Sequence, residues 1–159
     1  MSENGKLCFE DFIVGETVVF DATYPVTRED IIEFAKEFDP QPIHLQDVVF
    51  PEAKIDGIIA SGWHTAAISM RLMSEGYISN THAMGSPGMD YLKWLKPVVP
   101  GDVLRMRRTC LDARRSKSRD DMGIVHFRWE VLNQYNEVVM DYAGHQMMRT
   151  RASIEAERV

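Results

Sequence analysis

Cysteine is scarce in this sequence: Cys8 and Cys110 are the only two in 159 residues, and no CxxC pair exists. Two thiols so far apart build neither a disulfide framework nor a zinc site, and they fit a reducing cytosol. Basic charge is also short. Eighteen Lys and Arg stand against 24 Asp and Glu, a formal net charge of -6. That argues against nucleic acid as a partner, because phosphate binding needs a broad basic surface. The longest weakly polar run, Ile55 to Met73, is broken by Asp56, His64, Thr65 and Arg71, a poor membrane span. Met1 to Asp11 is polar and mildly acidic and lacks an apolar h-region, so no secretion signal and a cytoplasmic location are expected. Internal repeats and low-complexity tracts are missing as well.

What is there is an average globular composition, 45% hydrophobic and 26% charged, over a length that suits one domain. Met1–Lys6 and Ser153–Val159 read as frayed ends. Phe9 to Gly15 reads as a loop or short turn, and Glu16 to Val26 as a strand with Val18, Phe20 and Ala22 on one face. Thr27 is a candidate N-cap, with Asp30 completing a weak capping box. Ile31, Phe34, Ala35 and Phe38 follow at helical spacing, which predicts an amphipathic helix over Arg28–Phe38 that Pro40 and Pro42 stop. Ser61 caps a second helix, Gly62 to about Gly76, whose apolar residues leave almost no polar face, the mark of a buried helix. Alternating stretches over Met84–Leu95, Val103–Leu111, Gly123–Leu132 and Val138–Met148 then predict an antiparallel meander. A buried helix before consecutive strands is an α+β pattern, an antiparallel sheet wrapped around a long central helix.

The segment Phe38-Asp39-Pro40-Gln41-Pro42-Ile43-His44 carries the chemistry. Two prolines predict an irregular, stiffened loop that fixes an acid and an imidazole before any substrate arrives. Asp39 supplies an acceptor that can orient or deprotonate water, and His44 can hold the same water or pass a proton. Downstream, Ala60-Ser61-Gly62-Trp63 opens the buried helix. Its free N–H groups suit a carbonyl oxygen that gains negative charge, and Gly62 lets a substrate approach the backbone closely. Taken singly, Asp39 is also what a solvated turn before proline carries, and His44 what a half-buried histidine bonded to backbone looks like. Ser61 is an N-cap first, with a substrate contact as the alternative. Trp63, Met70 and Met73 read as core packing. His64, His82, His126 and His145 are given no role, and none shows metal-ligand spacing with Cys, Asp or Glu.

Asp-x-Gln-Pro-x-His followed by the Ser-Gly-Trp-His helix start resembles the MaoC-like dehydratases, the (R)-specific enoyl-CoA hydratase group of hotdog-fold proteins. The Leu95-Lys96-Pro97-Val98-Val99-Pro100-Gly101-Asp102 stretch is similar to the family's strand ending in a Pro-Val…Gly-Asp turn. The likeness covers residues 8–150 as a single hotdog domain, with 1–7 and 151–159 as terminal extensions. It implies syn addition of water across a trans-2-enoyl thioester to give a 3-hydroxyacyl thioester, or the reverse. By that match Asp39 activates the water, His44 shares in holding it and moving the proton, and the Gly62 N–H, with Ser61 beside it, binds the thioester carbonyl. No cofactor or metal is implied. The resemblance further implies an acyl-CoA or acyl-carrier thioester as substrate and a chain that pairs with itself as a homodimer, because the family builds its site between two subunits or two repeats. Two departures stand out: Gln41 occupies the place where the motif usually has Asn, and Pro40 follows Asp39. Gln keeps the amide, so the loop is expected to hold.

Arg105, Arg107 and Arg108, then Arg114, Arg115, Lys117 and Arg119, are the one basic concentration. The last four are the candidate contacts for coenzyme A phosphates; the alternative is a solvated strand edge and hairpin tip. Two further readings share the fold: an acyl-CoA thioesterase, whose water attacks the thioester carbon, and a non-catalytic acyl-CoA-binding subunit.

Overall fold

Antiparallel pairing organises the chain. The computed structural model describes residues 5–157. Its strands are β1 (Thr17–Pro25), β2 (Val48–Phe50), β3 (Ile55–Gly57), β4 (Ala83–Gly85), β5 (Met89–Trp94), β6 (Val103–Arg115), β7 (Met122–Leu132) and β8 (Val138–Arg149). The helices are α1 (Arg28–Phe38), α2 (Pro42–Leu45), α3 (Gly62–Gly76) and α4 (Arg151–Ala156). The main sheet runs β1-β6-β7-β8, and β4 and β5 both pair along the far side of β8; β2 and β3 form a separate hairpin. Every strand pair is antiparallel. Register shifts in β1, β5 and β6 mark bulges, which bend strands and sharpen their twist, so the sheet curls around α3.

The predicted helices end where their caps say. Thr27 Oγ1 accepts the Asp30 N–H at 3.1 Å and Ser61 Oγ the Trp63 N–H at 3.2 Å. The box at Thr27 does not close, because the Asp30 carboxylate accepts from Tyr24 Oη instead. Inward residues of β6, β7 and β8, among them Leu104, Met106, Phe127, Trp129 and Met140, pack on Ile68, Leu72 and Met73 of α3. Buried polar groups are paired inside this core: Trp129 Nε1 donates to Tyr77 Oη, which donates to Gln146 Oε1, and Ser69 Oγ meets Tyr142 Oη at 2.7 Å. Burial pushes the Tyr77 hydroxyl up to about 12, so it stays a neutral donor.

Four expectations need correction. α3 is not covered all round: Trp63, Ala67 and Met70 form an exposed stripe at helical spacing, while Met73 is core. Met84–Leu95 is two strands, since Ser86-Pro87-Gly88 interrupts pairing. β6 extends to Arg115, beyond its predicted end at Leu111, because the bulge after Cys110 lets pairing with β7 continue. The C-terminal segment read as frayed is α4 in its described part, capped by Thr150 Oγ1 and tied down by the Arg151–Asp11 and Arg149–Glu157 ion pairs. Residues 1–4, 158 and 159, which belong to the expected extensions, lie outside the described residues. No helix among the described residues is long and apolar enough to cross a membrane.

Leu72 is 1% exposed at the centre of this core. Leu72→Ala should lower unfolding free energy by about 2–5 kcal/mol, read from the midpoint of urea denaturation.

Candidate active site

The acid and the imidazole sit on adjoining helix ends. Asp39 is the C-cap of α1, its N–H bonded to Ala35 O at 3.0 Å. The chain then turns through Gln41, whose N–H bonds Asp39 O at 2.8 Å, into the single turn of α2. The predicted irregular loop is therefore partly helical. Pro42 stands at the first helical position, where its fixed φ suits a helix and its missing N–H costs nothing. His44 rides on that turn and is buried.

Each polar atom of the pair has a defined partner. His44 Nδ1 lies 2.8 Å from Ile59 O. A carbonyl only accepts, so Nδ1 carries the proton and, in the neutral ring, Nε2 presents a bare lone pair. Nε2 lies 3.4 Å from Asp39 Oδ2. Asp39 Oδ2 also accepts the Ser61 hydroxyl at 2.6 Å, and Oδ1 accepts Gln41 Nε2 at 2.6 Å. The Ser61 donor first, and the Gln41 donor second, hold the Asp39 carboxyl below the usual carboxylate range, so it is ionised at neutral pH. Oδ2 and Nε2 thus lie in contact and border the same cleft, where a molecule set beside the pair can reach both.

Asp39, Gln41, His44, Gly62, Trp63 and Trp94 line a cleft of about 450 Å³, together with Leu95–Val98. The Gly62 N–H is the first of α3, without an acceptor inside the helix, and it borders this cleft. The absent side chain of Gly62 is used differently from the expectation. A Cβ there would fall 2.5 Å from the Trp94 ring, whose Nε1 donates to Gly62 O at 2.8 Å. The indole occupies the space that was read as room for substrate. Trp94 and the Ile59 carbonyl are the members that sequence reasoning missed; a backbone acceptor leaves no mark in sequence, and Trp94 reads only as a strand residue.

Other candidates fall elsewhere. Ser61 is 1% exposed and its hydroxyl is committed to Asp39 and to the helix cap, so the expected substrate contact is replaced by a positioning one. His64 is buried and stacked on Phe34. Trp63, read as core, is 61% exposed and lines the cleft. The basic residues are not gathered at the cleft. Arg114 and Arg115 end β6, and Lys117 and Arg119 follow in the hairpin; none of the four lines the cleft. Arg115 pairs with Glu10 and Arg119 with Asp121. Of the strand arginines, Arg107 pairs with Glu130, and Arg108 is enclosed by Phe12, Phe20, Tyr77 and Phe127.

A sheet curled about one helix is the hotdog fold. The chain belongs to the MaoC-like domain family, whose model matches residues 11–126. It is similar to the MaoC-like dehydratase from Rhodospirillum rubrum, with 37% identity and a TM-score of 0.79 over 91% of this chain and 98% of that one. It is 33% identical to the uncharacterised protein YdeM of Bacillus subtilis, over 80% of this chain and 86% of the relative. It is 28% identical to mesaconyl-CoA hydratase of Cereibacter sphaeroides over 95% of this chain, and spans 43% of that protein's length.

Ser61→Ala removes both the helix cap and the strongest donor to Asp39. The cap loss should cost about 1 kcal/mol of stability. The Asp39 carboxyl should titrate higher, nearer the ordinary range, in a ¹³C NMR titration. In the parent its folded value lies below the unfolded one, so its stabilisation is full above the unfolded value and is lost as pH falls through the folded one. Urea midpoints measured against pH should show that acid-side loss shrinking in the variant.

Proposed function

We propose that the protein is a hydro-lyase that adds water to a trans-2-enoyl thioester of coenzyme A or an acyl carrier, or removes it from the 3-hydroxyacyl product. The observation that carries this reading is the geometry of the pair: the ionised Asp39 carboxylate lies 3.4 Å from Nε2 of His44, whose Nδ1 is held by the Ile59 carbonyl. With the imidazole in its neutral form, a water set beside the pair donates its O–H bonds to Oδ2 and Nε2 and turns a lone pair toward the substrate β-carbon. As the C–O bond forms, one water proton passes to the pair and the π electrons move onto the thioester oxygen. The Gly62 N–H, at the positive end of α3, would donate to that oxygen as it gains charge. The pair then returns the proton to the α-carbon on the same face, completing syn addition with every atom of water accounted for. The resident residues supply each step, so the reading needs no metal or cofactor.

Mesaconyl-CoA hydratase, the relative at 28% identity, supports water addition to an enoyl thioester as the chemistry of this site. Asp39→Asn should lower kcat for hydration of a short enoyl-CoA by about 10²–10⁴-fold, followed by loss of conjugated absorbance, with an unchanged circular dichroism spectrum. His44→Gln should cost about as much alone as the double variant does, because both groups act on one water. Full activity in Asp39→Asn would refute the mechanism.

The same reading includes a homodimer. Beyond β8, β5 has no strand partner on its outer edge among the described residues. Next to that edge lie the exposed apolar side chains of Trp94 and Leu95 and the α3 stripe of Trp63 and Met70. Unpaired backbone and exposed apolar area together suit a second copy. Light scattering should give twice the chain mass, and Met70→Asp should shift it toward one chain mass with a parallel loss of activity. A parent protein of single-chain mass would exclude the dimer.

A further inference from the structure

The outer face of the sheet carries a group of side chains that the proposed reaction does not use. His126 of β7 and His145 of β8 are direct cross-strand partners, stacked with ring centroids 4.2 Å apart and planes 6° from parallel. They alternate with the buried Val125 and Phe127 and therefore face away from α3. Asp90 joins them from β5. Its Oδ2 lies 2.7 Å from His126 Nε2 and its Oδ1 3.6 Å from His145 Nδ1. Asp90 occupies the register shift between Met89 and Tyr91, and a bulge re-aims the side chain it carries. The spacing of these residues in sequence shows no ligand pattern; sheet pairing alone brings them together.

We propose that Asp90, His126 and His145 form a binding site for a divalent transition-metal ion, with Zn²⁺ as the probe, separate from the hydration site. The three donor atoms all lie within 4.8 Å of one another, and the side chains are 26–47% exposed, so an ion reaches them from solvent. Two imidazole nitrogens and one carboxylate oxygen are the donor set that Zn²⁺, Cu²⁺ and Ni²⁺ take, whereas Mg²⁺ and Ca²⁺ demand oxygen throughout. Three protein ligands leave the fourth tetrahedral position to water. Zinc–nitrogen bonds of about 2.0–2.1 Å draw the donors to within roughly 3.4 Å of each other, a closure that side-chain rotation on fixed strands provides. One histidine satisfies Asp90 as a hydrogen-bond partner; the second ring turns a hydrogen-bonded pair into a three-donor set. His126 Nε2 now donates to the carboxylate, so its proton must leave that nitrogen before a metal binds, and protons compete with the ion. A bound ion would tie edge strand β5 to central β7 and β8. The other end of β5 sets Trp94 against Gly62, so the ion would brace the strand that bounds the cleft.

Calorimetric titration of the chelator-treated full chain with zinc chloride tests this. One ion per chain should bind saturably, and His126→Asn and His145→Asn should each weaken binding at least about tenfold. In imidazole ¹H–¹⁵N spectra of the parent protein, zinc should move the His126 and His145 signals and leave those of His44, His64 and His82 in place. The spectra decide even where a variant fails to fold. No saturable uptake at millimolar zinc, undiminished uptake in both variants, or shifts confined to the other histidines would overturn the site.

Discussion

One hydroxyl joins the two halves of the cleft. Ser61 Oγ accepts the Trp63 N–H to begin α3 and donates to Asp39 Oδ2 at the end of α1, residues 22 apart in sequence. A hydrogen bond to a charged acceptor contributes about 1.5–3 kcal/mol, more than a neutral one, because the carboxylate keeps its charge. Three properties follow from that contact. It fixes where the acid lies relative to the free N–H groups of α3. It depresses the Asp39 carboxyl so that the group is ionised when His44 faces it. It also sets Oδ2 3.4 Å from His44 Nε2, the two atoms to which the proposed mechanism assigns its water. Removing the hydroxyl would loosen the helix start and the acid together.

Elements whose signals are local were legible in the sequence. Thr27 and Ser61 announce two helices through a short side chain followed by the right period, and both helices begin where they should. Asp39, His44 and Gly62 were legible as a group because the motif is compact and the structure brings all three to one cleft. Properties that depend on distant pairing were not. The stripe of Trp63 and Met70 has the composition of core, and only the extent of the sheet leaves it open. The hairpin arginines follow the β6 strand to its far end, a direction that composition does not record. Asp90, His126 and His145 meet through register alone. The departure at position 41 is accommodated by reach: the longer amide of Gln41 folds back two residues onto Asp39 Oδ1.

The two faces of the sheet divide the chemistry by burial. Inward side chains of β7 and β8 form a core whose few polar atoms bond one another, as Trp129, Tyr77 and Gln146 do. Outward ones form ion pairs: Arg107 with Glu130, and Arg128 with Asp141. Such pairs, where partly solvated, contribute little to stability individually. The bulges that curl the sheet serve both faces, closing the core around α3 and aiming Asp90 at the two imidazoles.

The openness of the cleft links assembly to chemistry. Hydrogen bonds from Gly62 and from a held water gain strength when bulk water is excluded, since the effective dielectric falls around them. In a single chain, Trp63 at 61% and Trp94 at 45% exposure leave one wall of the cleft in solvent. The same wall borders the unpaired edge of β5 and the apolar stripe of α3. A second copy docked there would bury the stripe, satisfy the strand edge and dry the cleft in one step. On that argument the exposed apolar surface and the proposed hydration chemistry would have a common cause, with the proposed dimer completing the site.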